Sequence, residues 1–319
     1  MTISIIIPCY NVGMFLSETL ESIISQTFRD FEVICIDDGS TDNSLEIIEL
    51  YCKKDSRIKY ITQPNSGVST ARNKGLLMPK SDFVCFIDGD DTIEPDFLFR
   101  LIHMYYQNED IDLAICRYTR TMNPISTRSD DYKLMNKTQF IHDIHYEKTF
   151  TPQICCMLFR RSIIDNHNIT FIEGCTRGED REFFLKYVLN SNIIAYSVNI
   201  LYHYREHPNS AMASLNPKSL TSIEASFRLY EYCKHLDAKI IKDFEIGYYS
   251  TIWKFVVLCY MNNQSEILCS ITSKYDVSKI MKLLQNHPYR KDISLSSHIY
   301  TLSPQLFGFI CRMIGRIKN

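Results

Sequence analysis

Two aspartates separated by one glycine, Asp88-Gly89-Asp90, follow the apolar run Phe83-Val84-Cys85-Phe86-Ile87. A strand ending in such a triplet offers two carboxylates at its rim, with room between them for a ligand. Hard divalent cations favour oxygen-rich shells that the protein fills only in part, so Mg²⁺ or Mn²⁺ beside phosphate oxygens suits this spacing. A cation there would offset charge growing on a departing diphosphate. Acid-glycine turns are also common on surfaces, so the triplet alone leaves a plain turn open. A calcium-binding loop starting at Asp88 needs a carboxylate at its twelfth position; Phe99 stands there, which excludes that reading.

The triplet has company. Pro8-Cys9-Tyr10-Asn11 closes one apolar run, Asp37-Asp38-Gly39-Ser40-Thr41-Asp42 closes another, and Gly178-Glu179-Asp180 lies further on. Acids gathered at one rim repel one another, and a shared cation or ligand is a reason to tolerate that. Each also has a plainer role: Asp37 and Asp38 as helix caps, Glu179 and Asp180 as an acidic first helical turn, Arg72 as a surface ion pair. Asp88-Gly89-Asp90-Asp91-Thr92 also resembles the Asp-x-Asp-x-Thr signature of haloacid-dehalogenase-like phosphatases, in which Asp88 would be a nucleophile. That signature usually opens its fold, whereas three strand signals precede it here.

For these turns to meet, strands must alternate with helices, and the apolar pattern does so. Ile3–Pro8, Phe31–Ile36, Ile58–Ile61, Phe83–Ile87 and Leu113–Cys116 read as strands, the first a continuous run suited to burial on both faces. Leu16, Leu20, Ile23, Ile24 and Phe28 recur at helical spacing, and shorter helices are expected through Leu45, Ile48 and Tyr51 and from Gly67 to Met78. Pro95 opens another. The rhythm predicts an α/β, doubly wound, mostly parallel sheet with helices on both faces, binding ligands outside the carboxyl ends of its strands. Residues 118–150 read as an irregular insertion, and the chain beyond Pro217 as helical. The expected division is 1–215 and 216–319.

Composition narrows the class. The chain has 319 residues, 45% hydrophobic and 23% charged, with a formal net charge of −2, so no overall basic field recruits nucleic acid. Its 12 cysteines include no CxxC pair, and Cys9, Cys35, Cys85 and Cys116 sit in or beside apolar runs. Reduced thiols in a cytoplasmic protein are the expectation. No secretory signal is read at the start, and no apolar run reaches the ~20 residues a bilayer span requires.

The segments Pro8-Cys9-Tyr10-Asn11, Ile36 to Asp42, Asn65-Ser66-Gly67-Val68-Ser69-Thr70-Ala71-Arg72-Asn73, Phe86 to Asp91 and Gly178-Glu179-Asp180 occur in that order. Together they closely resemble the family 2 inverting nucleotide-sugar glycosyltransferases, which adopt the GT-A fold; the resemblance covers residues 3–210. It implies a UDP-sugar donor, Mn²⁺ or Mg²⁺ as cofactor, and 1–215 as the nucleotide-sugar-binding catalytic domain. Pro8 and Tyr10 would line the uracil pocket, Asn11 would join the nucleotide-sugar-binding residues, and Asp38 would accept the uracil ring N–H. Asn65 and Gly67 would shape the loop beside Arg72, which meets phosphate or braces the acids. Asp90 would ligate the metal, and Asp88, across Gly89, would contact ribose or the metal shell. Asp180 would be the base for the acceptor hydroxyl, with Glu179 orienting the acceptor. In Tyr202 to Ser210, Arg205 and Ser210 would close over the diphosphate, and His207 is a candidate phosphate or metal contact beside a structural reading.

The function so implied is transfer of a hexose or N-acetylhexosamine to a hydroxyl of a glycan, lipid-linked, in bacterial surface polysaccharide assembly, by single displacement with inversion. A phosphatase using Asp88 and a non-catalytic nucleotide- or glycan-binding protein stand as alternatives. Residues 216–319 would serve acceptor, oligomer or membrane contact. Leu306, Phe309, Ile310, Met313 and Ile317 share one side, with Arg312, Arg316 and Lys318 among them. Such a stretch suits peripheral contact with the inner face of the cytoplasmic membrane, and equally suits packing on its own domain.

Overall fold

The computed structural model describes residues 1–78, 81–121, 129–147, 151–207, 216–286 and 290–318. The chain divides into two compact units, Met1–Phe140 with Phe150–Ser210, and Ile141–Thr149 with Ala211–Asn319. The second unit thus takes in 141–149, which the sequence pattern left with the first.

The first unit opens with β1 (Ile3–Cys9), α1 (Gly13–Ile24), β2 (Phe31–Asp37), α2 (Ser44–Lys54), β3 (Ile58–Thr62), α3 (Val68–Leu76) and β4 (Phe83–Phe86). These strands pair in the parallel order β3-β2-β1-β4. Parallel strands need crossovers that cover the sheet, so β1 reads Ile-Ser-Ile-Ile-Ile-Pro-Cys and all but Pro8 are buried. Gly75 of α3 lies against Ile6, where any Cβ would collide with the isoleucine side chain.

The second half of the unit comprises β5 (Thr92–Ile93), α4 (Phe97–Gln107), β6 (Leu113–Thr119), β7 (Tyr132–Asn136), α5 (Lys137–His142), β8 (Met157–Arg160), α6 (Arg161–Asn166), α7 (Glu179–Leu189) and β9 (Ile193–His203). Here the sheet becomes mixed. β8 lies antiparallel between β4 and β6, β9 runs parallel to β6, and β5 and β7 pair antiparallel with β9. The five expected strands are all present, and β5, β7, β8 and β9 add to them, β7 within the stretch 118–150 that reads as irregular. Helix α4 starts at Phe97, two residues past the expected Pro95. Beneath the rim, Phe171 stacks on Phe183 at 4.2 Å, and Phe86 meets both rings edge-on. The cysteines are free thiols, and Cys9, Cys35, Cys85 and Cys116 are buried.

The second unit carries α8 (Thr221–Tyr232), α9 (Ala238–Met261), α10 (Ser265–Lys274), α11 (Val277–Leu284), α12 (Lys291–Leu302) and α13 (Pro304–Lys318). Trp253 of α9 centres its core, 4.8 Å from the Phe307 ring and 5.3 Å from Tyr300, with its indole N–H donated to Ser296 Oγ at 3.0 Å. Among the described residues no helix is long and apolar enough to cross a membrane.

Candidate active site

The acid-rich turns meet at the carboxyl rim of β1, β2 and β4 because parallel strands all end on the same side. At the end of β1, Tyr10 is half exposed, and Asn11 takes a left-handed φ of 53°. Its side-chain oxygen accepts the Thr41 N–H at 2.8 Å, and its own N–H is donated to Ser40 Oγ at 3.2 Å. Asn11 therefore pins the β1 turn to the β2 turn. Asp42 holds the start of α1, accepting Gly13 N–H at 2.9 Å and the Ser44 hydroxyl at 2.5 Å.

Gly39 sits at φ +72°, and a Cβ there would lie 2.8 Å from the Asn65 backbone nitrogen. Only glycine lets the β2 turn pass this close to the loop before α3. Asp38 then holds that loop: Oδ1 accepts Gln63 Nε2 at 2.7 Å and Ser66 N–H at 2.8 Å, and Oδ2 accepts Gly67 N–H at 2.8 Å. A carboxylate offers about four acceptor positions, and three of those of the buried Asp38 are taken. Asn65 and Gly67 belong to this loop, and Pro8 pairs with Ile36 on the neighbouring strand.

Arg72, on α3, is the hub of the deeper site. Its guanidinium is buried, donating to Asp88 Oδ1 at 2.9 Å and Glu179 Oε1 at 3.3 Å, with the Phe171 ring 5.4 Å away. Burial alone would ease its deprotonation, but Asp88 and Glu179 outweigh that and raise its pKa. Its Nε is buried and has no hydrogen-bond partner among the described residues. One side chain thus joins α3, the end of β4 and the start of α7. Asp88 is fixed from a second side by the Cys155 thiol, 3.3 Å from Oδ2. Asp88 thus accepts one bond on each carboxylate oxygen, from α3 and from the segment before β8.

Gly89 follows, where a Cβ would come 3.0 Å from Val12 Cγ2. Asp90 faces outward, with Oδ2 2.8 Å from His207 Nε2; burial, then the neighbouring Asp88, raises its pKa. Arg205 donates Nε to the Asp90 carbonyl at 3.0 Å and pairs with Glu18 at 2.5 Å. The Phe15 ring of α1 is 5.0 Å from Arg205 and 5.0 Å from His207. Arg205 also borders a cleft of about 580 Å³ that Glu18, Glu94 and Tyr204 help line. Ser210 lies outside the described residues.

Asp91 points inward. It accepts the Tyr202 hydroxyl at 2.6 Å and the Arg205 N–H at 2.8 Å, and burial, followed by Asp88, pushes its pKa up to about 8. It ties the β4 turn to the end of β9. The start of α7 places Glu179 and Asp180 beside this group, Gly178 taking a left-handed φ of 86° just before them. Burial, then Asp180, raises Glu179 to about 7 against the opposing pull of Arg72. Asp180 Oδ1 accepts the Arg181 N–H at 2.6 Å.

Sequence reasoning did not find Cys155, Asp91, Tyr202, Phe15 or Glu18 as site residues. Asp91 adjoined the acid triplet and could have been read as its inward-facing partner. Cys155 and Phe15 look like ordinary core residues in sequence, since nothing local shows that they border the rim.

Among the described residues no three His, Cys, Asp or Glu side chains converge as a metal cluster. A Mg²⁺-type ion commonly takes one or two carboxylates and completes its shell with water and substrate phosphates. Asp90 offers one such carboxylate on the rim, and His207 Nε2 lies 2.8 Å from its Oδ2.

The profile of Glycosyl transferase family 2 matches residues 4–167, just over half of the chain. The chain therefore belongs to that family. It is 32% identical over 214 residues to the uncharacterized glycosyltransferase EpsJ of Bacillus subtilis (strain 168), covering 65% of this chain and 62% of EpsJ. It is 30% identical to the poly(ribitol-phosphate) beta-glucosyltransferase of Bacillus spizizenii, over 69% of this chain and 35% of that one. The chain thus spans less than two thirds of either relative's length. Its fold matches S. aureus TarS 1-349, solved in complex with UDP-GlcNAc, with a TM-score of 0.74 and 22% identity over 94% of this chain and 91% of that one. The architecture is of the GT-A type, as the sequence motifs implied.

Proposed function

We propose that the chain transfers a hexose or N-acetylhexosamine from a UDP-sugar to a hydroxyl of a glycan acceptor, inverting the anomeric carbon. The observation that carries this is the Arg72 hub, which joins the donor-side acid Asp88 to Glu179 beside Asp180. A donor-binding rim and a candidate base on separate elements share one buried cation. Family membership, and the UDP-GlcNAc held by TarS on the same fold, support the choice of donor. The poly(ribitol-phosphate) relative supports a setting in cell-surface polymer assembly.

In this reading Asp38 accepts the uracil N–H with its remaining lone pair, between Pro8, Tyr10 and Asn11 on one side and Asn65 and Gly67 on the other. Asp90 and His207 hold Mn²⁺ or Mg²⁺, which supplies charge compensation for the diphosphate. Arg205 and Ser210 bind the diphosphate, Gly89 lets it approach the backbone, and Asp88 faces the ribose. Asp180 takes the proton of the acceptor hydroxyl as it attacks the anomeric carbon; that bond forms as the bond to UDP breaks, and Glu179 orients the acceptor. The acceptor is a lipid-linked glycan at the inner face of the cytoplasmic membrane.

The test is UDP release across UDP-Glc, UDP-Gal, UDP-GlcNAc and UDP-GalNAc, with and without Mn²⁺. One donor should give acceptor-dependent release. Asp180→Asn should lower turnover at least ~10³-fold while leaving UDP binding within a factor of two. Full transfer by that variant would remove Asp180 as the base. UDP binding without transfer from any donor by the unaltered chain would favour a non-catalytic binding protein.

A further inference from the structure

The helix α13 is apolar on two opposite sides, and its own unit covers only one. Phe307 and Cys311 are buried, Gly308 lies against Tyr260, and Gly315 is so close to α9 that a Cβ would sit 2.5 Å from the Met261 carbonyl oxygen. These residues seat the helix on α9. Leu306, Phe309, Met313 and Ile314 face away from that contact and are 53, 56, 49 and 43% exposed. At 100° per residue Leu306, Phe309 and Met313 fall within about 60° of one another, with Ile314 extending the arc. Leu302, at the end of α12, adds a fifth side chain, 86% exposed. A soluble helix normally keeps this side polar. The side chains of Ile317, expected in the stripe, and of Lys318, expected among its basic residues, lie outside the described residues.

Charge selects what covers the face. From Ile293 to Asn319 the sequence contains Arg312, Arg316 and Lys318 and no aspartate or glutamate. Helical geometry puts Arg312 and Arg316 along one flank of the exposed stripe, and neither has an acidic partner among the described residues. A second copy of this chain packing face to face would bring like charges together. An apolar stripe edged by arginine matches the boundary between acyl chains and anionic headgroups.

We infer that this outward side of α13, with Leu302, is a membrane-binding face that lies in the surface of an anionic bilayer. The inference names the contact surface for the membrane setting of the proposed function, but its test needs no transfer activity. The whole chain is mixed with vesicles of phosphatidylcholine alone or with 30% phosphatidylglycerol, and binding is read by flotation. The anionic vesicles should carry the protein, and the neutral ones at least tenfold less. Phe309→Ser with Met313→Ser, and separately Arg312→Gln with Arg316→Gln, should each weaken binding about tenfold. The changed apolar side chains are exposed, so the melting temperature and circular dichroism of the first variant should match the parent. No binding to anionic vesicles, or equal binding by both variants, would overturn the inference. So would a dimer in sedimentation velocity that the serine variant dissociates, with no vesicle binding. Loss of UDP release together with intact vesicle binding would instead count against the proposed function alone.

Discussion

Glu179 shows how one carboxyl can be shaped by its neighbours. Burial and the Asp180 charge raise it to about 7, from an ordinary 4.5, although Arg72 draws it down. The folded chain therefore holds this proton more tightly than the unfolded chain. Its contribution to stability is full below pH 4.5 and is lost as the pH rises through 7. Glu179→Gln removes that dependence. Urea midpoints of the parent should fall relative to the variant between pH 4.5 and 7, and parallel profiles would show that Glu179 titrates as it does in water. The same residue scale shows what the chain sequence leaves hidden. Glu179-Asp180 reads equally as an acidic first helical turn, and only the approach of Arg72 from α3 marks it out.

At the scale of elements, α1 is more than sheet cover. Its inner residues Leu16, Leu20 and Ile23 are fully buried, as their helical spacing in the sequence indicates. Its outer residues Phe15 and Glu18 carry Arg205 and His207, which arrive from the far end of β9. The pairing of α1 with the segment after β9 joins residues nearly two hundred positions apart, and no local pattern announces it. Phe15→Leu keeps an apolar contact but loses the aromatic ring that both basic groups approach. The donor KM should rise about tenfold, equivalent to ~1.4 kcal/mol, with kcat and melting temperature little changed. An unchanged KM would mean that Arg205 and His207 are placed without Phe15. A parallel fall in kcat and melting temperature would make Phe15 a packing residue only.

Across the first unit as a whole, the sheet is built in two styles, and Arg72 links them. It stands on α3 in the parallel half and reaches Glu179 at the start of α7, whose Phe183 packs under the rim in the mixed half. Removing its charge strands Asp88 and Glu179 without their shared cation. Arg72→Met should cost about 3 kcal/mol in chemical denaturation, because the partners of a broken buried pair remain desolvated. It should also abolish UDP release. A stable, active Arg72→Met protein would show that the two halves are joined by apolar packing alone.

The sequence by itself determined the parallel half of the sheet, the order of its rim turns and the family. Continuous β-branched runs and helical spacing are local signals, and parallel strands bring their ends together whatever lies between them. The motifs after β1, β2 and β4 were legible for that reason. Tertiary structure decided the rest. The antiparallel β8, the short β5 and the strands β7 and β9 are fixed by pairing partners far along the chain, not by their own patterns. The Asp88-Gly89-Asp90 triplet is the clearest case of both. Its position at a strand end follows from sequence, whereas its two acids and the adjoining Asp91 acquire separate fates only in three dimensions. Asp88 is held by Arg72 and Cys155, Asp90 faces His207, and Asp91 turns inward to Tyr202. Burial and distance assign those fates, and neither is written into residue spacing.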